Sequence, residues 1–134
     1  VEVRLTTSSE SADHRNVVTV RGTLADGEEI SVSGTLAGPK HIQKIVAVGE
    51  YDVDLALADH MVVLRYEDRP GVVGTVGRIL GEAGLNIAGM QVSRSTVGGE
   101  ALAVLTVDDT VPAPVLSEVA SEIGATSARS VNLV

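Results

Sequence analysis

Apolar and polar residues alternate through the first part of the chain. Val1, Val3 and Leu5 share one side while Glu2, Arg4 and Thr6 share the other, the period of two expected of a half-buried strand. Ser8 to Arg15 is polar and reads as a loop. Val18, Val20, Gly22 and Leu24 resume the alternation, Asp26-Gly27 supplies tight-turn chemistry, and Ile30, Val32, Gly34 and Leu36 return with the same spacing. Together they predict a hairpin. After Gly38-Pro39, a further stretch from Ile42 to Leu57 carries Tyr51, Val53, Leu55 and Leu57 on one face and Asp52 and Asp54 on the other. Residues 1–58 are therefore expected to be mostly antiparallel β.

The texture changes between Ala58 and His60, where a domain boundary is predicted, with a second domain over 59–134. Met61 to Tyr66 reads as a strand. Asp68 is a candidate cap for a helix entered through Arg69-Pro70-Gly71. Val72, Val76, Ile79, Leu80 and Ala83 recur at helical spacing as its core face. Gly84 stands where that helix would stop in a left-handed conformation. Asn86 to Ser95 and Glu100 to Val107 flank a Gly98-Gly99 hairpin turn. Pro114 opens a second helix whose apolar positions Val115, Leu116, Val119, Ala120 and Ile123 share a face before Gly124, and Ser127 to Val134 supplies a last strand. The order is βαββαβ, a ferredoxin-like arrangement of two helices over an antiparallel sheet. The fold class predicted for the chain is α+β, a β-rich segment followed by this unit.

Gly74, Gly77 and Gly81 weaken the first helix, each by roughly 1 kcal/mol relative to Ala. Their spacing lines them along one side, so close packing against another element or a second copy of the domain is the expected reason for them.

Composition narrows the functional classes. Hydrophobic residues make up 44% of the chain without a single Phe or Trp, so the core must be built of Val, Ile, Leu and Ala. The net charge of −8 repels phosphate backbones and anionic lipid, which argues against nucleic-acid and membrane-surface partners. There is no cysteine for disulfides or thiolate metal sites. No apolar run is long enough for a membrane span and no signal segment opens the chain, so a soluble, cytoplasmic protein is expected. Val1 begins inside a strand pattern without an initiator Met, as a piece of a longer protein would.

The segment Tyr66 to Gly74, followed by Gly84-Leu85-Asn86-Ile87, is the richest in chemistry. A helix N-terminus offers free backbone N–H groups and partial positive charge, a natural place for a carboxylate. Asp68 beside it can meet an ammonium group, and Asn86 can both donate and accept hydrogen bonds. Together they suit a zwitterion. A helix of about 14 residues, roughly 20 Å long, separates Asp68 from Asn86, so one chain closes such a site poorly, whereas two chains about a twofold axis can bring one Asp68 to the other Asn86. The plainer reading makes Asp68 only a helix cap and Asn86 only a loop residue.

Asp68-Arg69-Pro70-Gly71-Val72-Val73-Gly74, then Leu80 and Gly84-Leu85-Asn86-Ile87, resembles the signature of ACT domains. The similarity runs on through Ala88 to Arg94, Gly99 to Leu105 and Val131-Asn132-Leu133, and there resembles the C-terminal regulatory domain of the D-3-phosphoglycerate dehydrogenase family. Gly22-Thr23-Leu24, Ile30 to Thr35 and Tyr51 to Leu55 resemble the extra intervening domain of that family's long bacterial form. The resemblance implies a fragment with no catalysis of its own, cut from an NAD-dependent enzyme that oxidises 3-phosphoglycerate in the first step of L-serine synthesis. It also implies that L-serine binds at an ACT dimer interface as a feedback inhibitor, in a homodimer or tetramer. The implied ligand residues are the side chains of Tyr66 and Asp68, the loop Arg69, Pro70, Gly71, Val72 and Val73, and, from the other subunit, Asn86 and Ile87. Tyr66 can donate a hydrogen bond to the ligand's carboxylate but carries no charge. Two rival readings stand beside this one: a dimerisation module without ligand, and a sensor of another amino acid on a different biosynthetic enzyme.

Lys40, His41 and Lys44 form a candidate anion site in an otherwise acidic chain, with a solvated basic turn as the plainer alternative. Asp52 and Asp54 lie on the polar face of a strand, roughly 7 Å apart, and read as solvated. His14, His41 and His60 lack metal-ligand spacing. Gly71 to Gly77 has neither the dinucleotide fingerprint nor the lysine of a phosphate-binding loop.

Overall fold

The computed structural model describes residues 2–8, 17–23, 29–37, 39, 42–96 and 98–133. The chain divides into two compact units, Val1–Leu57 and Ala58–Val134. The first is a five-stranded antiparallel meander in the order β1 (Glu2–Ser8), β2 (Val17–Thr23), β3 (Glu29–Ala37), β4 (Ile42–Val48) and β5 (Tyr51–Ala56). The Asp26-Gly27 turn lies outside the described residues, but the strands on either side pair with Val20 opposite Val32. The stretch from Ile42 to Leu57 is two strands, broken at Gly49-Glu50. Gly49 permits the break by taking a φ of 59°, and its N–H donates to the Ser31 carbonyl at 2.7 Å. The β3–β4 register shifts beside Gly34, where an added Cβ would stand 3.2 Å from the Lys44 carbonyl oxygen.

Ile45, Val46, Tyr51, Val53 and Leu55 are buried in this unit. Val18, Val20, Val32 and Leu36 are not, each being 42–45% exposed. The half-buried strands predicted from alternation are therefore more open at β2 and β3. A period of two shows which side chains share a face, but not whether a second layer covers that face.

The second unit runs β6 (His60–Glu67), α1 (Val72–Glu82), β7 (Ile87–Arg94), β8 (Glu100–Val107), α2 (Ala113–Ile123), β9 (Ser127–Asn132). Its four strands pair antiparallel in the order β7-β8-β6-β9. Val72, Val76, Ile79 and Leu80 of α1 and Val119 and Ile123 of α2 close over Val62, Leu64, Tyr66, Ala101, Ala103 and Leu105 of the sheet. Each Val, Leu or Ile buried in this way contributes roughly 1.5–3 kcal/mol. Central strand β8 is buried from Ala101 to Val107, which explains its nearly unbroken apolar sequence. Among the described residues the architecture is thus mixed α and β, with two sheets and two helices. No helix among the described residues is long and apolar enough to cross a membrane.

Both helices stop at left-handed glycines, Gly84 (φ 77°) and Gly124 (φ 62°). The following residues bond back five positions, Leu85 N–H to the Leu80 carbonyl and Ala125 N–H to that of Ala120, each at 2.9 Å. The start of α1 departs from expectation. Gly71, with φ 90°, is its N-cap and no side chain caps it. Asp68 is therefore not the cap, because its carboxylate is turned to Arg94. The glycine stripe departs too: a Cβ at Gly74, Gly77 or Gly81 would meet nothing within 4 Å. Close packing within this unit does not explain those glycines, and the side of the helix they occupy is open.

Candidate ligand-binding site

Asp68 follows β6 directly and is fixed by its backbone N–H, which donates to the Gly99 carbonyl at 2.7 Å. That bond ties the loop ahead of α1 to the turn between β7 and β8. The Asp68 side chain is 20% exposed and its Oδ2 accepts from Arg94 Nη1 at 3.2 Å. Four residues on, α1 begins without a side-chain cap or an acidic residue in its first turn. The backbone N–H groups of Val72, Val73 and Gly74 are the unpaired donors that any helix start presents, and Val73 is half exposed. Pro70 and Gly71 are exposed as well.

Tyr66 sits beneath this loop, 2% exposed and part of the core. Its pKa is raised above the ordinary 10.0, first by burial and then by the nearby Asp68 carboxylate, so its hydroxyl remains a proton donor at neutral pH. Only a small part of Tyr66 reaches the surface, where it lines a cleft of about 270 Å³ with Glu67, Gly98, Gly99, Glu100 and Thr126.

Arg69 belongs to the implied ligand loop, but the structure commits its guanidinium to the end of α2. Its Nη2 donates to the Ile123 carbonyl at 2.7 Å and its Nη1 to the Glu67 carbonyl at 3.3 Å. It thereby satisfies a carbonyl in the last turn of that helix, where positive charge is favourable. Asn86, at the other end of α1, is exposed. It is held to the end of β8 twice, through Asp108 N–H to its backbone carbonyl at 3.1 Å and through its own Nδ2 to Asp108 Oδ2 at 2.9 Å. Ile87 beside it is half-buried and packs on the core. The eleven residues of α1 put roughly 16 Å between the two ends, so Tyr66, Asp68 and the helix start are gathered in one place and Asn86 and Ile87 in another.

Arg94 is the residue that sequence reasoning left without a role. Its signal lay in the β7–β8 hairpin register, which sets Arg94 opposite Ala101 and, one strand further, Tyr66.

In the first unit, Lys40 and His41 lie outside the described residues. Lys44 Nζ donates to Asp54 Oδ1 at 2.8 Å, so Asp54 is paired and not merely solvated. Of the histidines, His14 also lies outside the described residues, and His60 Nδ1 is 2.8 Å from Asn132 Oδ1. Among the described residues no cluster of His, Cys, Asp or Glu could hold a metal.

Residues 60–124 match the ACT domain family, so the C-terminal unit is an ACT domain, with the βαββαβ order and left-handed helix stops just described. The whole chain is 41% identical to D-3-phosphoglycerate dehydrogenase of Mycobacterium leprae over 133 residues, 99% of this chain and 25% of that protein. It is 32% identical to the Bacillus subtilis protein of the same name over 94% of the chain, and 34% identical to that of Archaeoglobus fulgidus over 92%. The chain matches the C-terminal regulatory region of the D-3-phosphoglycerate dehydrogenase family and spans about a quarter of the length of these relatives.

Proposed function

We propose that the ACT domain binds L-serine between two copies of the chain and thereby inhibits an NAD-dependent dehydrogenase that oxidises 3-phosphoglycerate in the parent protein. The observation that supports this reading is the start of α1, which no side chain caps, with the Asp68 carboxylate ahead of it turned to Arg94 instead. A carboxylate that is not used as a cap and is held only by a surface ion pair can turn to an ammonium group, and the α1 donors can take part of the ligand's carboxylate.

The remaining contacts come from a second copy. Strand β7 is an edge of its sheet, so its outward backbone groups can pair with another chain. Antiparallel pairing of two β7 edges about their middles sets the Arg94 end of one against the Ile87 end of the other. Asp68 of one chain then faces Asn86 of its twin, across a gap suited to a small amino acid. Serine that binds this paired state better than the alternatives shifts the population toward it, with a coupling of about 1 to 3 kcal/mol typical of such effectors.

A second reading, a dimerisation element without ligand, draws support from Asp68 and Asn86 both having partners within the chain. Thermal melting with and without L-serine separates the two. Serine bound to the native state raises the midpoint by mass action, and the rise is expected to vanish in Asp68→Ala and in Asn86→Ala while both variants remain folded. The same rise in both variants would place the ligand elsewhere; no rise in the parent chain would leave dimerisation alone.

A further inference from the structure

Arg94 ends β7 on the open edge of the ACT sheet. Residues directly opposite in an antiparallel ladder share a face, so Arg94, Ala101 and Tyr66 form one row across β7, β8 and β6 on the side covered by the helices. Ala101 has only a methyl group there and is fully buried. Above this row the Arg94 guanidinium reaches back to the loop before α1 and lies 3.2 Å from Asp68, with its side chain 54% exposed. The other cation of that loop, Arg69, is held by the Ile123 and Glu67 carbonyls. Tyr66 keeps its proton and cannot supply positive charge.

We propose that Arg94 is a ligand-binding and specificity-determining residue of this site: paired with Asp68 when the site is empty, it takes the α-carboxylate of the bound amino acid while Asp68 turns to the α-ammonium group. The inference rests on the reading of the domain as an amino-acid site. A zwitterion carries the two charges that the ion pair carries, so its insertion replaces one contact by two charge-assisted ones. The planar fork of a guanidinium matches a carboxylate in particular. Exposed ion pairs are weak, so parting this one opposes binding little. An amine without a carboxylate satisfies Asp68 but displaces Arg94 without giving it a new partner, so a ligand bearing both charges is selected. In a chain of net charge −8, a fixed cation at the site is also what offsets the general repulsion of an anionic group.

Calorimetric titration of the chain with L-serine and with L-serinamide, which keeps the amine and hydroxyl but lacks the carboxylate charge, tests this. The parent chain is expected to prefer L-serine by about tenfold or more, the usual scale for a charged hydrogen-bonded contact. Arg94→Gln is expected to lose about that factor for L-serine, leave L-serinamide within about twofold, and so abolish the preference. Arg94→Lys should restore part of it. An unchanged melting midpoint in the absence of ligand shows that the variants are intact. Equal losses for both ligands in Arg94→Gln would make Arg94 a support for Asp68 and overturn the proposal, as would unchanged L-serine affinity; either result leaves serine binding itself standing. A parent chain that binds neither ligand overturns both.

Discussion

Tyr66 shows how far a residue's type and its surroundings can part. The sequence presents it as a hydroxyl beside a ligand loop, whereas the structure buries its ring in the core and leaves it a rim of one cleft. Burial and the Asp68 charge both resist its ionisation. The folded chain therefore holds the phenolic proton more tightly than the unfolded chain, so the stability this group contributes is complete below about pH 10 and is lost as pH rises through its higher folded value. Melting midpoints measured from pH 8 to 11 should fall more steeply above pH 10 in the parent chain than in Tyr66→Phe; identical slopes would show that the hydroxyl titrates freely. Asp68 and Asn86 were legible as polar groups flanking a helix. Arg69 and Arg94 were not separable by type, because whether a guanidinium meets a helix carbonyl or a ligand carboxylate depends on contacts 54 and 26 residues away.

At the scale of elements, α1 carries the least expected feature, a glycine stripe with nothing against it. Gly77→Ala should stabilise the unpaired chain by about 1 kcal/mol, since an added Cβ meets no atom and helix propensity improves. If the stripe is where a second copy lies close, the same substitution should weaken self-association. Denaturant unfolding at low concentration and sedimentation at high concentration would read the two signs separately; a gain in stability with unchanged association would exclude the stripe from the interface. The helices and strands of the ACT unit were legible because period and punctuation agree, with Gly84 and Gly124 in left-handed stops and Gly98 (φ 78°) in the hairpin. The cap of α1 was misread because Asp is among the strongly preferred residues at a helix start. Here Gly71 takes that position with a backbone conformation that only the structure reveals. The Gly49-Glu50 break in the first unit was missed for a related reason, since one glycine within an alternating run marks a bulge as readily as a turn.

For the whole molecule, the sequence carried a β-rich segment followed by a βαββαβ unit, because the hydrophobic period changes between them. It did not carry the openness of the β2–β3 face, where Val18, Val20, Val32, Leu36, Ile45 and Leu57 line a groove of about 490 Å³. Alternation is blind to the layer that would cover such a face. Nor can one chain's geometry join the two ends of α1 into a single site, which is why the functional reading requires a twofold partner. A ligand that binds only the paired state must strengthen pairing, whatever contacts it uses. Sedimentation equilibrium of the chain across a range of concentrations, with and without saturating L-serine, tests this most directly. Serine is predicted to move the association toward dimer; a chain that takes up serine yet remains monomeric at every concentration would contradict the account.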